Sequence, residues 1–428
     1  MIGSKVLENL MKFTTLSKTL LFLFVLFLPL ANQDRYFLWH PKLYPSTILL
    51  VILILFHSPY LWQEVRKKQF WSDKYLLLLT ALFGVRAISV INSRSLTNSL
   101  LLLAFFGSVI FLYLILKRLA KTDEKFFSLL FQLYLAVVVV IGFFGLLQYL
   151  LALGGVILPG VLKGGNYFRI PSTFYDANHL PPFISTGLFF FLGFSFLAKD
   201  VRQKFGFLIL SLVLAMVSVL TFSRSGFLGT VVGSLTFGFL SLKNGFGKKL
   251  LPIVLVLLVF VGGVLYFSHR THYSLVDRMF KSLTDPAEKS TVAHYELLLG
   301  EWQLFLDHPI LGVGYGGFSE AFRASEHSKG HTWIDPVKDI RLPAHSIWLE
   351  TLVETGVVGF IPYLLSMLLV TQQLFAGLFK APTDQDKIYL LAFISGFLAL
   401  LSGGIFYSYN LLFFWYFIFT GLILARNV

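Results

Sequence analysis

Cysteine is absent from the 428 residues, which excludes disulfides and thiolate metal sites and leaves the compartment open. Charge is scarce as well. Asp, Glu, Lys and Arg make up 13% of the chain, against about 25% in a soluble domain. Strict apolar–polar alternation is also missing, so the long apolar runs read as helices and not as barrel strands. No Walker loop, nucleophile elbow, Cys/His arrangement or aspartate-rich carboxylate pair occurs, and no tandem repeat or low-complexity tract. Acidic residues number 22 against 35 basic ones, for a net charge of +13. That excess does not call for nucleic acid, because a polytopic protein collects Lys and Arg in its cytoplasmic loops.

What is present is apolar bulk. Hydrophobic residues are 56% of the chain, 47 of them Phe, and the mean hydropathy is +0.75. Apolar segments fall near 16–32, 44–61, 74–92, 98–116, 126–152, 181–198, 205–222, 225–242, 250–268, 346–375, 386–404 and 406–425. Each is about long enough to cross a bilayer core. The pattern predicts an all-α integral membrane protein with about twelve transmembrane helices. The runs 126–152 and 346–375 are long enough to extend beyond the bilayer. Lys5, Lys12 and Lys18 before a short apolar run resemble a signal peptide, but no small-x-small cleavage site follows. The run is read as an uncleaved first span.

The basic residues give an orientation. With the N-terminus in the cytoplasm and strict alternation, 20 of the 35 Lys and Arg residues fall in cytoplasmic segments and 6 in short outer loops. The long outer loop holds 8, and Arg86 lies within a span. Long loops are exempt from the positive-inside rule, so both termini are expected in the cytoplasm. The expected division is 1–268 with spans one to nine, 269–345 as an outer loop domain, and 346–428 with spans ten to twelve. The long loop before the tenth span is polar and holds 7 of the 10 histidines. A helical pattern at 292–307 and the run Gly312-Val313-Gly314-Tyr315-Gly316-Gly317-Phe318 argue for order within it.

Arg224 stands in Thr221-Phe222-Ser223-Arg224-Ser225-Gly226, between two apolar runs with almost no loop to hold it. An arginine at a helix end can be a snorkelling one. This one falls on the outer side, where topology gives no reason for it, and an edge cation commonly marks a site. A guanidinium matches a phosphate in shape, and Ser223, Ser225 and Gly226 at a helix start add backbone N–H groups suited to an anion. Arg169, in Phe168-Arg169-Ile170-Pro171-Ser172-Thr173-Phe174-Tyr175-Asp176-Ala177-Asn178-His179, is a second arginine on the same face. That stretch reads equally as an ordinary loop before a helix cap, and Asp176 could cap the helix or orient an arginine. Two guanidiniums suit a diphosphate better than one.

His345 lies where the long loop meets the tenth span. A lone His is more often structural. At the membrane surface, at the depth of Arg169 and Arg224, a neutral imidazole can take a proton from a hydroxyl, and nearby guanidiniums favour that neutral form. Glu350 and Glu354, one turn apart, read as helix-dipole partners, and Glu354 could orient an arginine. Glu326, His327, His331 and Asp335 have ligand chemistry but no zinc spacing, so no metal site is expected. Arg86 has no assigned role.

These elements, in this order, resemble the O-antigen ligase and polymerase family of bacterial cell envelopes. The resemblance rests on Arg169 with Phe174 and Asn178, and on Ser223-Arg224-Ser225-Gly226. Pro309-Ile310-Leu311-Gly312-Val313-Gly314 follows, then His345 with Glu354-Thr355-Gly356-Val357-Val358-Gly359. It covers about 165–365. It implies an inverting, metal-independent and cofactor-free glycosyl transfer at the periplasmic face of the bacterial inner membrane. The implied donor is a glycan on undecaprenyl diphosphate and the acceptor a glycolipid such as lipid A–core oligosaccharide. Arg169 and Arg224 would hold the diphosphate and His345 would act on the acceptor hydroxyl, with Ser223, Asn178 and Glu354 in support. A repeat-unit polymerase or a protein O-oligosaccharyltransferase of the same family would share this chemistry. A lipid-linked glycan transporter is the alternative of another class; it calls for ionisable residues deep in the spans, where Arg86 is the main one.

Overall fold

The computed structural model describes residues 13–30, 44–164, 167–249, 289–328, 344–408 and 411–427, with short pieces between 254 and 266. The helices in chain order are α1 (Thr15–Leu26), α2 (Pro45–Phe56), α3 (Ser58–Arg66), α4 (Lys68–Ser72), α5 (Lys74–Ser89), α6 (Leu96–Thr122) and α7 (Glu124–Leu153). After a short antiparallel hairpin, β1 (Leu162–Gly164) with β2 (Tyr167–Arg169), come α8 (Leu180–Leu197), α9 (Val201–Leu220) and α10 (Arg224–Lys243). The rest are α11 (Lys289–Asp307), α12 (Phe318–Ala324), α13 (Ile347–Lys380), α14 (Asp384–Gly403) and α15 (Leu412–Asn427).

Among the described residues, eight helices are long and apolar enough to cross a membrane, or nine when the bent pair α2–α3 is counted as one span. Two shorter apolar helices, α1 and α15, accompany them. The expected all-α membrane architecture is present. Two of the expected spans look different in detail. The 44–61 run is bent by 70° between α2 and α3, because Pro59 sits in the first turn of α3 and can give no N–H to a continuous helix. The 406–425 run starts its helix only at Leu412, leaving Tyr407 and Ser408 in a loop. The 250–268 run lies largely outside the described residues.

Side chains set the helix starts. Asp73, Asp123, Asp200, Ser223, Ser346 and Thr383 each accept a backbone N–H from the first turn that follows, satisfying donors that have no partner within the helix. The centre of the bundle is α8, which carries no charged residue and is buried along nearly its whole length. It packs against α9, α10 and α14. Small residues permit this closeness, as lipid supplies no hydrophobic drive between helices. A Cβ on Gly229 of α10 would come 2.7 Å from the Ala399 carbonyl oxygen of α14.

The bundle has two polar ends. At one, the Asp73 carboxylate takes Lys117 Nζ at 2.6 Å and Arg426 at 3.1 Å, and Arg426 also donates to the Tyr113 hydroxyl at 2.8 Å. These basic residues belong to segments that the charge pattern assigns to the cytoplasm. At the other end lie residues 154–164 and 167–179, the 221–224 turn, the start of α13 and residues 404–408. The Ile347 N–H donates to the Gly404 carbonyl there, at 3.0 Å. Helices α11 and α12 rest on the first turns of α13 with a core of their own, which includes Leu297, Leu304, Phe305, Phe318, Phe322 and Val353. The helix expected at 292–307 is α11, and the glycine-rich run after it is ordered.

Candidate functional site

The two arginine segments meet. Arg169, at the end of β2, donates from Nε to the Thr221 carbonyl oxygen at 3.1 Å and from Nη2 to Asn178 Oδ1 at 3.2 Å. Thr221 caps the C-terminus of α9, where backbone carbonyls are left over and a cation is favoured. The next residue, Phe222, is buried and held at φ 52°, a left-handed conformation that a bulky side chain rarely adopts. This turn reverses the chain between α9 and α10 in three residues and sets Arg224 at the first helical position of α10. Ser223 Oγ accepts the Gly226 N–H at 3.2 Å and lies 3.0 Å from Ser225 Oγ. One of the donors expected to face an anion is thus used in capping.

The Arg169 loop is fixed from beneath. Ser172, also at positive φ (55°), exchanges two bonds with the side chain of Gln148, its N–H to Oε1 at 2.8 Å and its carbonyl from Nε2 at 3.1 Å. Its hydroxyl donates to the Ile141 carbonyl at 2.8 Å. Asp176 takes the Asn178 N–H at 2.8 Å and the Tyr407 hydroxyl at 2.7 Å. Burial pushes its carboxyl up. His179, the Asn178 N–H, the Tyr407 hydroxyl and Arg169 outweigh that and hold it below the usual range.

Tyr407 connects this loop to His345. Its ring lies 5.1 Å from the His179 ring and 6.0 Å from the His345 ring, edge-on to both. A continuous path of contacts therefore runs from the Arg224 turn through Arg169, Asn178, Asp176 and Tyr407 to His345. The segment after α14 is held to α13 by a hydrogen bond from Ser408 to Glu350, and Trp348 Nε1 donates to the Leu401 carbonyl near the end of α14 at 3.2 Å. Nothing in the sequence points to Tyr407, because it sits inside an apolar run.

The two glycine motifs turn out to be one structure. Gly356 has φ 61° and breaks α13 within its third turn. The break frees backbone groups that would otherwise bond within the helix. The Val353 and Glu354 carbonyls accept the Val313 and Gly314 N–H groups at 2.9 and 3.1 Å, and the Val357 N–H reaches the Pro309 carbonyl at 2.9 Å. A Cβ at Gly356 would overlap the Ile310 carbonyl, and one at Gly312 the Val353 carbonyl. The Glu354 side chain accepts the Gly316 and Phe318 N–H groups. Arg86 docks the same loop: its guanidinium lies between the rings of Phe106 (4.0 Å) and Tyr315 (4.4 Å), with Nη1 3.4 Å from the Tyr315 hydroxyl. The unassigned span arginine thus holds the glycine-rich loop on the bundle.

Glu326 and His327 border a cavity of about 700 Å³ with Asn92, Arg94, Asp307 and His308. His327 pairs with Asp307 at 2.7 Å. Arg169, Arg224 and His345 do not line it. His331 and Asp335 lie outside the described residues, and no group of three metal-ligating side chains occurs among the described ones.

Comparison with known proteins agrees with the motifs. Residues 207–364 match the O-antigen ligase family model. The matched segment holds Arg224, both glycine motifs and His345, and Arg169 precedes it. A teichuronic acid biosynthesis protein, TuaE, from Bacillus subtilis (strain 168) is 24% identical over 449 residues, covering 99% of this chain and 87% of the relative. The resemblance read from the motifs holds: the chain has several helices apolar enough to cross a membrane, and residues 207–364 match the O-antigen ligase family model.

Proposed function

We propose that the protein transfers a glycan from undecaprenyl diphosphate to an acceptor hydroxyl at the outer face of the inner membrane, with both termini in the cytoplasm. The observation that carries this reading is the bond from Arg169 Nε to the Thr221 carbonyl, which gathers the two arginine-bearing segments at one end of the bundle. A diphosphate at the membrane surface would meet Arg169 and Arg224 together. As the glycosidic bond to the diphosphate breaks, negative charge grows on the leaving group. Guanidiniums stabilise that charge without a divalent ion. His345 would take the proton of the acceptor hydroxyl, and attack from the opposite face inverts the anomeric carbon. Asn178 holds Arg169 in place and Ser223 the start of α10. Glu354 holds the loop beside His345.

The acceptor in the leading reading is a glycolipid such as lipid A–core oligosaccharide. The second reading, joining of repeat units on the same carrier, has its support in the relative, whose name speaks of teichuronic acid and of no lipid A. Cells lacking the protein separate the two. A missing ligase leaves long lipid-linked glycan, and a missing polymerase leaves single units.

Hydrogen bonds to charged groups are worth about 1.5–3 kcal/mol, so losing one arginine is expected to lower transfer roughly 10- to 150-fold. Arg224→Ala and Arg169→Ala are each expected to show that loss, and His345→Ala to abolish measurable transfer, in membranes where the protein still accumulates. Near-normal transfer by Arg224→Ala would remove its diphosphate role. EDTA is expected to have little effect, and inhibition reversed by a divalent ion would refute the metal-free chemistry.

A further inference from the structure

We propose that Glu301 is a positioning residue for His345, fixing the backbone of the histidine through a hydrogen bond across the interface between α11 and the start of α13. This rests on the reading of His345 as the group that receives the acceptor proton. Glu301 lies 44 residues before His345 in sequence, and its Oε1 accepts the His345 N–H at 2.8 Å. The side chain is fully buried.

Its place in the helix argues against a solvated or incidental carboxyl. Leu297, Leu304 and Phe305 form the buried stripe of α11 that packs on Phe318, Phe322, Ala344 and Val353. Glu301 sits within that stripe, one turn from Leu297 and from Phe305, where helical periodicity calls for Leu. An isolated carboxylate there is costly unless it is neutralised and hydrogen-bonded. Burial pushes the Glu301 carboxyl well above the ordinary range, Glu350 and Glu354 push it the same way, and the His345 N–H works against them. Burial thus favours the neutral form, and one oxygen lies on the His345 N–H. Its Oε2 has no hydrogen-bond partner among the described residues. A leucine would satisfy the packing of α11. The carboxyl adds one thing that a leucine cannot supply, an acceptor for the residue that carries the imidazole. Ala344, packed in the same small core, holds the other side of that turn.

The test uses the full-length chain in membranes, with lipid-linked glycan and acceptor extracted from cells lacking the protein. Glu301→Leu is expected to accumulate normally, to unfold at no lower temperature than the wild type, and to lose about 10- to 100-fold in kcat with little change in KM for the donor, as a displaced reacting group does. Glu301→Gln keeps an acceptor oxygen without charge and is expected to retain most of kcat. If Glu301→Leu does not accumulate, Glu301→Asp takes its place: it falls one methylene short of the His345 N–H, so reduced kcat supports the role and full kcat overturns it. Wild-type kcat in Glu301→Leu overturns it, as does a Glu301→Gln as impaired as Glu301→Leu. His345→Ala separates the two levels. Full activity in that variant defeats the reading of His345 itself. An inactive His345→Ala beside a fully active Glu301→Leu defeats only the role of Glu301.

Discussion

Tyr407 shows how much one hydroxyl can organise. It holds the half-buried Asp176, whose carboxyl is depressed below its usual range, and its ring stands edge-on to His345. A depressed carboxyl contributes stability that is present above its unfolded value of about 3.9 and is lost as pH falls through the folded value. Tyr407→Phe removes one stabilising donor, so the folded value of Asp176 rises. Loss of that bond is expected to cost about 1–3 kcal/mol near neutral pH, and acid unfolding is expected to begin at a higher pH. Thermal unfolding of the purified protein in detergent at several pH values measures both. An acid limb identical to wild type would show that Tyr407 does not sustain the Asp176 carboxylate. At this scale the sequence was legible unevenly. Arg169, Arg224 and His345 stand out because a basic side chain at the edge of an apolar run, on the side that the charge pattern assigns outside, has no topological excuse. Tyr407 was hidden in a run that reads as a span. Glu301 left a readable signal, a carboxylate on the apolar stripe of a helix, which only a residue-by-residue wheel of that helix brings out.

Among the elements, α13 carries the most consequence. Its break at Gly356 is what lets the glycine-rich loop pair with it, and Arg86 then clamps the loop from the bundle side. Gly356→Ala must adopt φ 61° with ψ −169°, a region open essentially to glycine only and costing about 1–3 kcal/mol, and its Cβ overlaps the Ile310 carbonyl as well. We expect a destabilisation of more than about 2 kcal/mol, seen as a lower unfolding temperature or failure to accumulate. Gly84→Ala on α5, where a Cβ meets nothing within 4 Å, is the control and is expected to be neutral. Equal stability of the two variants would show that the break is not needed. The sequence displayed both glycine motifs but not their pairing. Gly312 and Gly356 are far apart in the chain, and spacing within either motif carries no trace of its partner. The bend between α2 and α3 was readable from Ser58-Pro59, whereas hydropathy alone sees one continuous run.

For the molecule as a whole, the segregation of polar groups to two ends turns orientation into a measurable quantity. The Asp73–Lys117–Arg426 cluster marks one end, and the Arg169, Arg224 and His345 segments mark the other. With no native cysteine, a single introduced thiol has no background. Arg94→Cys, exposed beside the glycine-rich loop, is expected to react with a membrane-impermeant maleimide in intact cells with an opened outer layer. Lys380→Cys, exposed at the end of α13, is expected to react only after permeabilisation. The reverse pattern would place the arginines in the cytoplasm and defeat transfer at the outer face. The helical class and the grouping of the three residues at one end were both legible, because hydropathy and the bias of basic residues are global properties.

The pairing of 309–314 with 353–358 also joins the two stems of everything between them. With both stems bonded, the intervening chain is a closed insertion whose contour length can change at small entropic cost, about 0.6 kcal/mol for each doubling. A change of chain length between the stems is therefore expected to cost little, provided it spares Gly312, Gly356 and the residues of the stretch that dock on the bundle and carry His345.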